Sequence, residues 1–184
     1  MEEISLPKGY RYDSGYVGLP YALPEIAQEI EIDGEILVAK PEFHMSILSI
    51  KKYGPMLAEK EGITAKAAEE RVLFEASKLL AANSITIKYF KNELRLAEER
   101  EKKTIIIMCE ANGADELFVG IRRALNLEIT TQPFHVTLYT RDVGIGLTSE
   151  QEVDDQTRLL TTEESERVKK AINFDLLPQA TKNS

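Results

Sequence analysis

The strongest constraint in this sequence is a repeated six-residue pattern that contains its only two histidines. Phe43-His44-Met45-Ser46-Ile47-Leu48 and Phe134-His135-Val136-Thr137-Leu138-Tyr139 each place a histidine after a phenylalanine and a hydroxyl residue two positions later. Successive side chains of a strand point to opposite faces, so each stretch reads as a strand with two different faces. His44 and Ser46 share one face, and Phe43, Met45 and Ile47 the other. His135 and Thr137 likewise stand opposite Phe134, Val136 and Leu138. One face is suited to a core. The other offers an imidazole with a hydroxyl roughly 6–7 Å along the strand. Two such strands facing one cleft would set two imidazoles and two hydroxyls around a small anion. Strict alternation past Thr137 also brings Tyr139 and Arg141 onto the His135 face, as further substrate-binding residues. A single His-x-Ser on a strand is ordinarily a hydrogen-bonded or exposed residue without chemistry; the repetition is what gives it weight.

At 184 residues and 43% apolar content the chain has enough material for one domain with a buried core. Its net charge of −8 is wrong for gripping long nucleic acid, which needs Lys and Arg along many phosphates. A small nucleotide or oligonucleotide held in a cleft is compatible with it. Cys109 is the only cysteine, so no disulfide can form within the chain; it sits in an apolar run and reads as a core residue. The acidic Met-Glu-Glu start has no apolar signal core, and no apolar run approaches membrane-spanning length. A cytoplasmic monomer with no membrane association is expected.

Tyr10, Tyr12, Tyr16 and Tyr21 punctuate the first 34 residues and read as half-buried packing residues, with a short strand over 12–18. Residues 36–39 read as a strand, and Pro41-Glu42 turns the chain into the first histidine strand. Lys51-Lys52 and Tyr53 come after that strand, and Gly54-Pro55 reads as a break. Thr64 is a helix cap for an amphipathic helix over 65–82, where Ala65, Ala68, Val72, Ala76, Leu79 and Leu80 recur at helical spacing. Residues 84–90 alternate as a strand. Lys91-Asn92-Glu93 reads as a hairpin loop, with Leu94 and Leu96 on the returning strand. The cluster Glu98-Glu99-Arg100-Glu101-Lys102-Lys103 reads as a charged hairpin end, and 104–109 as a buried strand. Asn112-Gly113 turns into a helix with Leu117, Phe118, Ile121, Ala124 and Leu125 on one face and Arg122-Arg123 near its end. After the second histidine strand, Gly144-Ile145-Gly146 reads as a flexible loop and 148–160 as a polar loop. Thr161 and Glu164 have capping-box spacing for a last helix over 162–173, and 179–184 reads as a frayed tail. The sum is an α+β chain in which each histidine strand belongs to its own sheet-and-helix half.

With its two His-x-Ser/Thr stretches the chain resembles the two-histidine (2H) phosphoesterase superfamily, whose signature is a pair of His-x-Thr/Ser motifs. The departure is Ser46, where threonine is more usual; serine is also accepted. The resemblance implies two lobes related by an approximate two-fold axis, antiparallel sheets flanked by helices, and the motifs on central strands facing a shared cleft. It also implies His44 and His135 as the acid–base pair and Ser46 and Thr137 as phosphate ligands. Members such as the RNA 2′,3′-cyclic phosphodiesterases open 2′,3′-cyclic phosphates; others cleave 2′,5′-linked or cyclic oligonucleotides.

The residues themselves suit that chemistry. Phosphodiester hydrolysis needs a base for the nucleophile and an acid for the leaving oxygen. Two imidazoles can divide those tasks, since unperturbed His titrates near 6.5. We assign His135 as base and His44 as acid. The hydroxyls of Ser46 and Thr137 can donate to non-bridging phosphate oxygens. The scheme requires no metal or other cofactor, and no His-Glu-x-x-His spacing is present. The competing reading is a non-catalytic module that binds a nucleotide in the same cleft.

Overall fold

The structure is a computed structural model that describes residues 5–180. The acidic N-terminal start and residues 181–184 of the expected tail lie outside them. In chain order the elements are β1 (Arg11–Asp13), β2 (Tyr16–Tyr21), β3 (Glu29–Ile32), β4 (Glu35–Ala39) and β5 (Phe43–Ser49), then α1 (Ile50–Glu61), α2 (Ala65–Ala82), β6 (Thr86–Glu99) and β7 (Lys102–Asn112). After these come α3 (Ala114–Leu125), β8 (His135–Arg141), α4 (Glu150–Gln156), β9 (Thr157–Leu159), α5 (Thr162–Ala171) and a 3-10 turn at Phe174–Leu176. This is a mixed α+β chain with an antiparallel sheet flanked by helices. It divides into two compact units, the first formed by Met1–Pro20, Ser46–Thr86 and Ala111–Gln132, the second by Tyr21–Met45, Ile87–Glu110 and Pro133–Ser184.

In the first unit β1 and β2 form an antiparallel hairpin where one short strand is expected. Its turn carbonyl, Gly15 O, accepts from the Ile50 and Lys51 amides at 2.8 and 3.2 Å. Those bonds satisfy the start of α1, which has no side-chain cap. Helix α1 is a correction, because Gly54-Pro55 reads as a break in the sequence. Pro55 lies inside the helix. Its missing amide leaves only the Lys51 carbonyl unserved, and burial of Ile50, Tyr53 and Leu57 offsets that loss. Helix α2 matches its expected bounds. Thr64 Oγ1 accepts from the Ala67 amide at 3.2 Å, and Ala68, Val72, Ala76 and Leu80 are buried at four-residue spacing. Small residues on that face let α1 pack on α2, and α2 packs also on α3. Asp115 and Glu116 in the first turn of α3 and Arg122 and Arg123 in its last complement the helix dipole.

In the second unit β3 and β4 are joined by Asp33-Gly34, whose φ values of 54° and 73° belong to a type I′ hairpin turn. Strand β4 pairs with β8, and β8, β7, β6 and β9 succeed one another in order. The expected loop at Lys91-Asn92-Glu93 is instead the middle of a continuous β6. Lys91 pairs with Glu110 at 2.6 Å, and Glu93 pairs with Arg95 at 2.8 Å, so this polar triplet is held by partners within the sheet. The chain reverses only at Arg100, with φ of 57°, within the mixed-charge cluster. The 148–160 segment is also corrected, forming α4 and β9. Ser149 Oγ accepts from the Glu152 amide at 3.2 Å to start that helix. Ile145 and Leu147 are core residues, 5% and 1% exposed, so the glycines around Ile145 do not make a free loop. Helix α5 has the expected capping box between Thr161 and Glu164. Gln179 bridges to Phe90 and donates to the Phe174 carbonyl at 3.1 Å, so it is not frayed.

The two histidine strands do not occupy separate halves. Strand β8 lies wholly in the second unit, and β5 begins there with Phe43–Met45 before its remaining residues enter the first. The reason is direct pairing: β5 and β8 are antiparallel neighbours with Met45 opposite Val136.

Gly113 precedes α3 at φ +78°, and a Cβ there would lie 2.6 Å from the Ser84 carbonyl oxygen. Backbone strain and a backbone clash therefore coincide. Gly113→Ala is expected to lower unfolding free energy by about 1–3 kcal/mol, read as a shift of the urea midpoint at unchanged slope. An unshifted midpoint would show that the turn relaxes without cost.

Candidate functional site

Strand register decides which side chains share a surface. Directly opposed residues of an antiparallel pair lie on the same face. Met108 opposes His135 and Ile106 opposes Thr137, so these four share what we term the histidine face. Ile107 opposes Val136 on the opposite face, together with Met45. Cys109 belongs there too, its Sγ 3.6 Å from Met45 Sδ. It is 2% exposed and burial pushes its thiol up to about 12, as suits a core residue. One residue outward from the Met45–Val136 pair, antiparallel counting brings His44 opposite Thr137. His44 and Thr137 are both half-buried.

His135 is 5% exposed, deeper than a residue facing open solvent. Its cross-strand partner Met108 belongs to an apolar cluster with Ala97, Ile106, Ile145, Leu147 and Val153, which folds the segment after β8 over this face. Burial of that kind penalises the imidazolium. It drives the His135 pKa down to about 4, and the nearby His44 pushes it in the same direction. Contact with the Pro133 carbonyl opposes the shift but loses to desolvation. His135 Nδ1 lies 3.4 Å from that carbonyl. A carbonyl can only accept, so this contact holds the proton on Nδ1 and leaves the Nε2 lone pair available.

The extension to Tyr139 and Arg141 is corrected by a bulge. The register between β7 and β8 shifts between Ile105 and Ile106, so Ile106 opposes Thr137 whereas Ile105 opposes Tyr139, and Leu138 is the extra residue. Beyond it the alternation is inverted. Tyr139 is fully buried on the opposite face, its hydroxyl donating to the Ala27 carbonyl at 3.1 Å, and burial pushes its phenol up to about 12. Arg141 opposes Lys103 on that same face, and both reach Glu35, at 2.9 and 3.4 Å. Neither carries over as a cleft residue. Thr140, opposite Thr104, takes the place on the histidine face that alternation assigned to its neighbours. Val38 of β4 opposes Thr140 and joins that face too, a position that sequence alternation alone does not reveal.

Ser46 belongs to the first unit. It is half-buried, and its carbonyl accepts from Gln132 Nε2 at 2.8 Å. The structure thus brings His44, His135 and Thr137 together in the second unit. Among the described residues no three His, Cys, Asp or Glu side chains converge in a geometry that could hold a metal ion. Among them, too, no helix is long and apolar enough to cross a membrane. Compared with protein-family models, with curated proteins and with solved structures, the chain has no significant match in any of the three.

A histidine near 4 in the folded protein and 6.5 when unfolded makes a signed contribution to stability. Both states are neutral above pH 6.5. As pH falls the unfolded chain takes the proton first, so stability is lost progressively between pH 6.5 and 4, by about 3 kcal/mol in total. Glu164, held down to about 2 by the Arg158 guanidinium, adds a separate loss at lower pH. Urea unfolding of the native chain and His135→Gln at pH 7, 6, 5 and 4 should show a steeper acid decline in the native chain. Parallel declines would mean that the His135 side chain is protonated without hindrance.

Proposed function

We propose that this chain is a phosphodiesterase acting on a cyclic or 2′-linked phosphodiester of a nucleotide or short oligonucleotide, by two-histidine acid–base chemistry without a metal. The observation that carries the reading is the juxtaposition of His44 and His135 on one sheet face, close enough for one to oppose the charge of the other, with Thr137 opposite His44. The repeated His-x-Ser/Thr pattern supports it from the sequence side.

In this mechanism His135 Nε2 takes a proton from water as the water oxygen bonds to phosphorus. The phosphorus–oxygen bond to the leaving group breaks, and His44, protonated, gives its proton to that oxygen. Water is added across the bond and a monoester results when the substrate is a 2′,3′-cyclic phosphate. The Thr137 hydroxyl donates to a non-bridging oxygen, where charge develops. Ser46 is assigned the second hydroxyl on the sequence pattern alone.

The depressed pKa of His135 favours a second reading, a module that binds nucleotide without turnover, because a base near 4 has little proton affinity. An anionic substrate counters this by stabilising the imidazolium as it forms. Turnover of a 2′,3′-cyclic mononucleotide in EDTA decides between the two: hydrolysis supports the enzyme, and tight binding without hydrolysis supports the module. A panel adding 2′,5′-oligoadenylate and cyclic dinucleotides identifies the linkage.

His44→Ala and His135→Ala are each expected to lower kcat/KM by about 10²–10⁴-fold. The double variant should be scarcely worse, because the pair acts as a unit. Thr137→Ala and Ser46→Ala should cost less. Near-native turnover in either histidine variant would remove the paired assignment.

The pH profile of kcat/KM should be bell-shaped, with its acid limb drawn down from 6.5 toward pH 4 by the state of His135 in the free protein. An acid limb centred near 6.5 would assign the base to another group. Loss of activity in chelator, restored by a divalent ion, would overturn the metal-free scheme.

A further inference from the structure

We infer that Lys40 is a specificity-determining residue of this site, holding a second phosphate of the substrate beside the one that reacts. The inference rests on the phosphodiesterase reading and adds a substrate class to it. Pairing of β4 with β8 continues one residue beyond the strand, where the Lys40 amide donates to the Leu138 carbonyl at 2.9 Å. Ala39 opposes Tyr139 on the face away from the histidines, so alternation returns Lys40 to the histidine face. It stands there in line with Ile36 and Val38, next to the bulge after Thr137 and four residues before His44.

Most other cations of this sheet pair with carboxylates. Lys91 pairs with Glu110, Arg95 with Glu93, Lys103 and Arg141 with Glu35, and Arg158 with Glu164 and Asp33. Lys40 is half-buried, and among the described residues its ammonium has no hydrogen bond, ion pair or ring contact. A compact ammonium beside a phosphoryl site suits a phosphate as a point charge. Ile36 and Val38, 60% and 49% exposed, extend the strip with an apolar surface for the nucleoside attached to that phosphate. Such a site prefers a substrate with two phosphates, an oligonucleotide end or a 5′-phosphorylated nucleotide, over a cyclic mononucleotide with one.

The test is equilibrium binding of adenosine 2′,3′-cyclic phosphate and its 5′-phosphorylated form, by calorimetry, with turnover of both followed in parallel. The native chain should bind the 5′-phosphorylated probe about tenfold more tightly, the ratio given by about 1.4 kcal/mol. Lys40→Met should bring the ratio of the two affinities close to one, and Lys40→Arg should keep most of it. Circular dichroism of each variant confirms the fold. Equal affinities in the native chain, no binding of either probe, or a preference that survives Lys40→Met would each overturn the role of Lys40. A preference lost in Lys40→Met with no turnover of either probe, of 2′,5′-oligoadenylate or of a cyclic dinucleotide would support the phosphate contact and overturn the phosphodiesterase reading.

Discussion

The pairing of β5 with β8 at Met45 and Val136 is the contact on which the candidate site depends. It turns two motifs 91 residues apart in sequence into neighbours across one ladder, since 135 − 44 = 91. It also fixes the phase. With Met45 and Val136 on one face, both histidines appear on the other, and a one-residue slip of either strand would carry its own histidine to the face that Met45 and Val136 now occupy. The core side holds this phase in place: Met45, Val136 and Ile107 are fully buried. Apolar burial on one face thereby positions polar chemistry on the other.

The bulge at Leu138 divides β8 into two parts with different duties. Before it, the strand presents His135 and Thr137. After it, the strand directs Tyr139 and Arg141 to the far face, where the Ala27 carbonyl and the Glu35 carboxylate hold them. Without the extra residue, Tyr139 would leave a fully buried position for the histidine face and Arg141 would leave Glu35. The bulge sits inside the sheet, with β7 along one edge of β8 and β4 and β5 along the other.

Much of the architecture is legible in the residues. Helix α2 and the capping box of α5 obey local rules, a threonine cap before an apolar periodicity, and local rules can be read without the fold. The phase of the histidine strands is legible for the same reason. The illegible features depend on distant partners. Lys91-Asn92-Glu93 resembles a loop until Glu110 and Arg95 are placed beside it. Gly54-Pro55 resembles a break until the Gly15 carbonyl and the buried face of α1 are known. The bulge leaves no mark in the run from Thr137 to Arg141, because alternating residue types fit either register. The β3–β4 hairpin does have a local signal: Asp33-Gly34 between alternating Glu-Ile and Glu-Ile-Leu-Val is a strong two-residue turn pattern.

The charge state of His135 sets a local effect against a global one. A chain of net charge −8 should attract protons and raise imidazole pKa values, yet His135 is driven down to about 4. Exposed charges act weakly beyond a screening length of about 10 Å. Desolvation acts on the ring itself and shifts buried groups by up to about 3–5 units. The local effect wins, because the ring is buried at 5% exposure. The result is a neutral imidazole beside a second histidine in an acidic chain. For the anionic substrate proposed above, positive charge would have to come from the site itself, because the net charge of the protein repels it. Neutrality of His135 makes that local charge depend on His44 and on any cation beside it.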